Sequence, residues 1–306
     1  MFTVYTANKY VYMKKFLNHL HLIAWSVLMA GCLGSCSDDD SYNTSHPDKG
    51  AVVVTTDWTD CSSDAVPPES YVLRIGTQEQ TVNNKTNVFP ALFLPGEQEL
   101  LVWHPAGGIT ISGDTATVNT LPDGTLDPQP DHLFSAAQEL LIVADDTLKV
   151  TARMQQHICN LTLTLNLKPG DEERLAGTSA TLTGIAPAVD LVTGDITAAE
   201  GKTVVPVFQL ETDTGKPRTA ENPQLIAILR LLGVMSGERQ ILTLVLTLTD
   251  GHVHTVTADL TDALKNFDGE LEPLMLDATL ELPTEAGFEV SISDWKEINN
   301  GNIEIH

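Results

Sequence analysis

The chain has 306 residues, with 17 Lys and Arg against 41 Asp and Glu, a formal net charge of −24 at pH 7. A surface this acidic repels nucleic acid and anionic lipid, which excludes recognition through a basic patch. Hydrophobic residues make up 42% of the chain and aromatics 6%, enough to bury a sizeable core but little from which to build an aromatic ligand platform.

The N-terminus reads as an export signal. Lys14 and Lys15 are followed by the apolar run Leu22 to Gly31, and Met13-Lys14-Lys15 is the natural beginning of such a segment. The run is too short to span a bilayer comfortably. It leads into Leu33-Gly34-Ser35-Cys36, small residues before a cysteine, the pattern that the bacterial lipoprotein signal peptidase cuts. Residues 1–35 are therefore expected to be a lipoprotein signal peptide, and Cys36 the acylated residue. Cys32, after Met29-Ala30-Gly31, is a competing site, but Leu33-Gly34-Ser35 fits the lipobox better and an acidic run begins directly after Cys36. A plain secretory signal with incidental cysteines is the alternative. Each buried methylene contributes about 0.8 kcal/mol, so several acyl chains would hold the protein durably to the cell outer membrane.

Residues 36–50 read as a lipidated acidic tether. Ser37-Asp38-Asp39-Asp40 is simply solvated on the plainest reading. It is also similar to the surface-export signal that follows the lipidated cysteine in lipoproteins of Bacteroidetes, which implies display on the outer face of that membrane. Residues 1–35 hold three lysines and no acid, so residues 36–306 carry 14 basic and 41 acidic side chains, a net charge of −27.

Beyond the tether the sequence is strand after strand, with a period close to two. Strands are expected at Ala51 to Thr56, Tyr71 to Ile75, Val88 to Leu94 and Glu99 to Trp103. Ile109 to Ser112 and Thr115 to Val118 flank Gly113-Asp114 as a two-residue hairpin, and Glu139 to Val143 and Leu148 to Ala152 flank Asp145-Asp146 as another. Leu161 to Leu167 alternates almost without fault; Thr178 to Thr183 and Lys202 to Gln209 continue the pattern. Leu225 to Leu232 is apolar at nearly every residue and is expected to be covered on both faces. Leu242 to Thr249 and His252 to Leu260 flank Asp250-Gly251, a strong hairpin signal. Thr261 is placed to cap a short helix over Asp262 to Phe267, and strands at Glu270 to Leu280, Phe288 to Ile292 and Asn302 to His306 close the chain. The expected architecture is all-β with two tandem β-sandwich domains, at residues 51–154 and 155–306.

Chemistry is hard to find. There is no GxSxG, no HExxH, no Gly-rich phosphate loop and no EF-hand spacing. His252 and His254, two apart on a strand, lack a third metal ligand, and Asp57-Trp58-Thr59-Asp60 is explained by a strand ending in a capped turn. Trp58, Trp103 and Trp295 could form a sugar platform, although isolated tryptophans in sandwiches usually pack the core or the sheet ends. A Cys61–Cys159 disulfide is permitted by compartment but not implied by one pair. No enzyme, cofactor or metal is expected.

Several segments resemble the fimbrillin-like surface lipoproteins of Bacteroidetes. They are Val54-Thr55-Thr56-Asp57-Trp58, Ser70-Tyr71-Val72-Leu73, Leu94-Pro95-Gly96 and Ile109 through Val118, then Ala180-Thr181-Leu182-Thr183-Gly184-Ile185, Val189-Asp190-Leu191 with Thr193-Gly194, and Val290-Ser291-Ile292-Ser293-Asp294-Trp295. The resemblance covers about Ala51 to His306 and rests on turn residues and hydrophobic pattern. It implies transthyretin-like sandwiches, a role in fimbriae and adhesion, and other fimbrial subunits as partners. Stalk subunits of that family lose their first strand after cleavage at a basic residue, and a neighbour's strand fills the groove. Between Cys36 and Arg74 the only Lys or Arg is Lys49. A cut there would leave Ala51 to Thr56 in place, and a cut after Arg74 would destroy two strands. The resemblance thus implies an anchor-like or accessory subunit, its partner-facing strand near Ile303 and Ile305. Asp114-Thr115-Ala116 and Asp146-Thr147-Leu148 resemble the short O-glycosylation sequence of that bacterial group, at Thr115 and Thr147. The alternative functions are a glycan-binding lipoprotein of a nutrient-uptake system and a surface-shielding protein.

Overall fold

The computed structural model describes residues 47–211, 223–267, 271–283 and 289–298. Ala51–Asp57 (β1) is rich in β-branched residues; Val52, Val54 and Thr56 are fully buried while their neighbours are half-buried. The first half continues with β2 (Tyr71–Ile75), β3 (Gln78–Val82), β4 (Thr86–Val88), β5 (Gly96–Trp103), β6 (Ile109–Ser112), β7 (Thr115–Val118), β8 (Phe134–Ile142), β9 (Thr147–Arg153) and β10 (Gln155–Gln156). Two sheets result, one in the order β4-β1-β9 and one in the order β10-β8-β5-β2-β3. Val52 and Val54 from the first meet Leu73, Ile75, Leu100, Phe134 and Ile142 from the second, so one core lies between them.

The second half supplies β11 (Cys159–Asn166), β12 (Leu175–Ile185), β13 (Ala188–Asp190), β14 (Lys202–Val204), β15 (Gln209–Glu211), β16 (Gln224–Leu231), β17 (Ile241–Leu248) and β18 (Val253–Asp259). A short helix, α1 (Thr261–Leu264), leads to β19 (Leu274–Glu281), β20 (Ser291–Ile292) and β21 (Lys296–Glu297). Sheet β15-β16-β11-β19-β20, with β21 also on β19, faces sheet β14-β12-β17-β18. Leu161, Leu163 and Leu165 of β11 are fully buried, and with Leu229 of β16 and Leu242, Leu244 and Leu246 of β17 they form a second core. Gly251 turns the β17–β18 hairpin at φ 88°, a left-handed conformation that favours glycine.

The two halves share a ladder. Thr115–Thr117 of β7 pairs antiparallel with Ala188–Asp190 of β13, making a three-stranded sheet β13-β7-β6. Arg74 of β2 lies 5.4 Å from the centre of the Trp103 ring, and its guanidinium donates to the Asp114 carboxylate in the β6–β7 turn. The second core accordingly includes Val72, Leu101, Trp103, Ala116 and Leu133 from the first half. At the same junction Ser135 Oγ donates to the Leu191 carbonyl at 2.9 Å and accepts from His157 Nε2 at 2.7 Å. Burial pushes the His157 imidazole down to about 4 and lowers those of His104 and His132, which flank the Phe134 ring at 5.6 and 6.4 Å.

Several expectations from sequence need correction. Leu225 to Leu232 is covered on one face only, because β16 alternates and leaves Ile228 52% exposed. The strand expected over Val88 to Leu94 stops at Val88; Pro90 lacks the donor a ladder needs. Lys202 to Gln209 divides into β14 and the start of β15, with Pro206 between them. Thr261 does not cap the helix: Leu260 precedes it, and Thr261 Oγ1 instead accepts the Gln240 N–H at 3.0 Å. The polar strand β3 lies at a sheet edge, where alternation gives no signal. Cys61 and Cys159, whose pairing the sequence left open, are not joined by a disulfide. The strand expected at Asn302 to His306 lies outside the described residues.

Two tests follow from this packing. Leu163→Ala should cost about 2–5 kcal/mol of unfolding free energy and Ile228→Ala less than about 1 kcal/mol, measured by urea titration. His157 is neutral in the fold and protonates more readily when unfolded, so the unfolded chain binds the extra proton between pH 6.5 and about 4. Stability should fall as pH drops through that window, by up to about 3 kcal/mol from this group. His157→Asn should flatten the slope.

Candidate site around the first strand

The chemistry of this fold concentrates on β1. All seven of its residues pair in parallel with Thr147–Arg153 of β9, and Val53–Thr55 pair antiparallel with Thr86–Val88 of β4. The strand is therefore the centre of its sheet although it is the first strand of the described residues. Its far end is fixed by polar contacts. Thr56 Oγ1 accepts from Trp58 Nε1 at 3.0 Å and lies 3.2 Å from the Tyr71 hydroxyl, which also receives Asn87 Nδ2 at 2.9 Å. Met154 N–H donates to the Asp57 carbonyl at 2.8 Å, and Trp58 stands edge-on to Phe134 at 5.4 Å. The Asp57 carboxylate accepts the Thr59 N–H at 3.1 Å, closing the capped turn expected from sequence, and hydrogen bonds from the Thr59 side chain and N–H hold its pKa below the usual carboxylate range.

Removal of β1 would strip both β4 and β9 of a partner and open the space now filled by Val52, Val54 and Thr56. A groove of that kind recognises an incoming strand twice, by its main chain and by alternate side chains. In this chain that space is filled by its own strand β1.

The two basic residues nearest β1 in the sequence lie in different settings. Lys49 is exposed and precedes β1, its carbonyl accepting the Asp145 N–H at 3.1 Å. Arg74 sits inside β2, paired on both sides with β3 and β5, and only 22% of its side chain is exposed. Opening the chain after Arg74 would take β1 and nearly all of β2 together.

Other residues singled out by sequence are dispersed. Thr115 is half-buried in the β7–β13 ladder, whereas Thr147 is exposed at the start of β9. His252 Nδ1 lies 3.1 Å from the carboxylate of Asp250 in its own turn, and no group of three or more metal-ligating residues exists among the described residues. Trp58 and Trp295 are half-buried and Trp103 is buried, in packing roles. Cys36, Ser37, Asp38, Asp39, Asp40, Ile303 and Ile305 lie outside the described residues. No helix among the described residues is long and apolar enough to cross a membrane. Sequence reasoning missed Tyr71 and Asn87 as anchors of β1, because nothing local shows that β1, β2 and β4 converge.

Fold and groove together define an all-β sandwich protein that fills one of its sheets with its own N-terminal strand. Residues 49–301 match the model of the family described as fimbrillin-A associated anchor proteins Mfa1 and Mfa2, and the chain belongs to that family. Solved structures share the fold at low identity. An adhesin candidate from Bacteroides ovatus superposes with a TM-score of 0.54 at 14% identity, covering 79% of this chain and 93% of that one. Another, from Bacteroides thetaiotaomicron, gives 0.53 at 13% identity, covering 83% and 99%. No curated protein matches in sequence. The family match places the chain among fimbrillin-associated proteins, and the solved structures show that its fold is shared.

If Thr56 is the polar anchor of β1, Thr56→Val leaves the Trp58 N–H without its acceptor and removes one contact of the Tyr71 hydroxyl, which still donates to the Asn84 carbonyl. It should cost about 1–3 kcal/mol in urea titration, while the outward-facing Thr55→Val stays within about 0.5 kcal/mol.

Proposed function

We propose that this chain is a lipid-anchored fimbrial subunit of the anchor or accessory kind, which joins other subunits by β-strand addition while keeping its own first strand. The retained, centrally paired β1 is the observation that carries this reading. A subunit whose groove is already filled cannot accept a strand there, so it ends or branches a filament. The absence of Lys or Arg between Lys49 and Arg74 supports the same role, since a trypsin-like cut has no residue at which to release β1 alone. Cys36 carries the acyl chains and Ser37-Asp38-Asp39-Asp40 directs the protein to the outer face of the outer membrane. The two sandwiches comprise residues 51–154 and 155–306, and the segment around Ile303 and Ile305 is the strand offered to the neighbouring subunit. Thr147, exposed at a strand start, is the better placed of the two O-glycosylation candidates.

The test is cellular. Cys36→Ser should move the protein from the outer-membrane fraction to the soluble fraction and release fimbriae into the medium. Undiminished membrane partitioning would remove the lipid anchor from the reading. Ile303→Asp with Ile305→Asp should abolish co-purification with sheared filaments while leaving acylation intact.

A further inference from the structure

The second sandwich ends one of its sheets on a strand with no outer neighbour among the described residues. β18 closes the order β14-β12-β17-β18 and pairs with β17 over its whole length, from Val253 opposite Thr247 to Asp259 opposite Ile241, without a bulge. Leu248 N–H donates to the His252 carbonyl and Leu260 N–H to the Gln240 carbonyl, so the even-numbered residues of this stretch bond to β17. Val253, Thr255, Thr257 and Asp259 therefore turn their N–H and C=O groups away from the sheet, and their side chains are exposed. Val253 to Ala258 contains no Pro, Lys, Arg, Asp or Glu. Other long edges carry such guards: Lys149 and Arg153 on β9, Glu79 on β3. A long, regular, uncharged edge is a template for another strand.

We propose that β18 pairs antiparallel with β18 of a second copy of this chain, about a two-fold axis through Val256. The strand's own sequence selects that occupant. In this register the outward-bonding residues form the hydrogen-bonded pairs: Thr255 faces Thr257 of the second copy, Val253 faces Asp259, and symmetry repeats each pair. Val256 faces its own counterpart across the axis. Threonine pairs and β-branched pairs are favourable neighbours across strands. Val256, half-buried at the rim of the second core, gains cover from its counterpart. A chain of net charge −24 resists self-association, so such a contact has to be free of facing acids. The strand's one acid, Asp259, falls opposite an aliphatic residue and is already held by Arg239, whose Nε donates to it at 3.1 Å. The pairing is also closed, because each copy uses up the open edge of the other and no further edge of this kind is left.

Sedimentation equilibrium of the full chain carrying Cys36→Ser tests this, since the substitution keeps acyl chains and detergent out of the measurement and makes the outcome independent of the lipid-anchor reading. Over a series of protein concentrations the mass should rise to twice that of the chain, and added salt should favour the dimer by screening the acidic surfaces. Thr255→Lys with Thr257→Lys sets lysine opposite lysine and should return the mass to that of one chain. Thr255→Lys with Thr257→Glu sets opposite charges at the same positions and should restore the doubled mass. Both side chains are exposed, so circular dichroism and urea titration should show the two double variants folded as the parent is. A single-chain mass throughout the series overturns the proposal. So does a dimer that the lysine pair leaves intact, because that contact lies elsewhere. Monomers from both double variants would mean that the edge takes a strand in another register, and masses beyond the dimer that it polymerises; either result overturns the two-fold pairing.

Discussion

The parallel ladder between β1 and β9 is the contact on which the first sandwich depends. A parallel pair cannot be joined by a tight turn; residues 58–146 intervene, and they comprise nearly all of the remaining strands of that sandwich. The ladder therefore forms only when the rest of the unit is in place, and its order in space is the reverse of its order in synthesis. Long-range pairing of this kind is slow to form because loop closure precedes any gain from contact. Until β1 docks, the chain presents the open edges of β4 and β9 and an unfilled apolar row. A sandwich lacking this strand would expose edges with which another extended segment could pair.

What secures β1 is distributed unevenly along it. The N-terminal half depends on main-chain bonds and on Val52 and Val54, which are interchangeable with any apolar side chains of similar size. The C-terminal half depends on a polar cluster in which Thr56, Trp58, Tyr71 and Asn87 satisfy one another within the core. Buried polar groups are costly when left without partners, so this cluster fixes register as well as position: a slip by one residue would turn Thr56 outward and leave the Tyr71 hydroxyl facing a different side chain. Apolar filling gives the groove its affinity, and the hydroxyl network gives it one permitted alignment.

Alternation made most of the fold legible. β2, β6 and β7 occupy the expected spans, and β11, β17 and β18 do so to within a residue or two; in β7, β11 and β17 the buried residues fall at every second position. The failures have common causes. The edge strand β3 is polar on both faces and sends no periodic signal. The apolar stretch of β16 mimics a doubly covered strand, yet Ile228 faces outward on a sheet with no layer above it. The pairing of β1 with β9 and of β7 with β13 was not readable at all, since register between distant strands is set by tertiary complementarity and not by either strand's own pattern. The site was legible to the same extent: the first strand and the basic residues around it stand out in sequence, whereas Tyr71 and Asn87 do not.

The position of the cleavable residues relative to β1 links fold to role. On the strand-addition reading proposed above, what matters is whether the first strand can be detached cleanly. Detachment requires a scissile residue in the linker between β1 and β2, at residues 58–70, and that linker contains neither Lys nor Arg. The nearest candidates are displaced in opposite directions. Lys49 lies before the strand, in an exposed position, and Arg74 lies within the next strand, bonded on both sides and held to Asp114. Cutting at the first leaves the groove filled, and cutting at the second dismantles the five-stranded sheet. On the function proposed above, a chain with this arrangement stays attached at its N-terminus and contributes a strand from elsewhere, as a subunit at the base of a surface appendage would.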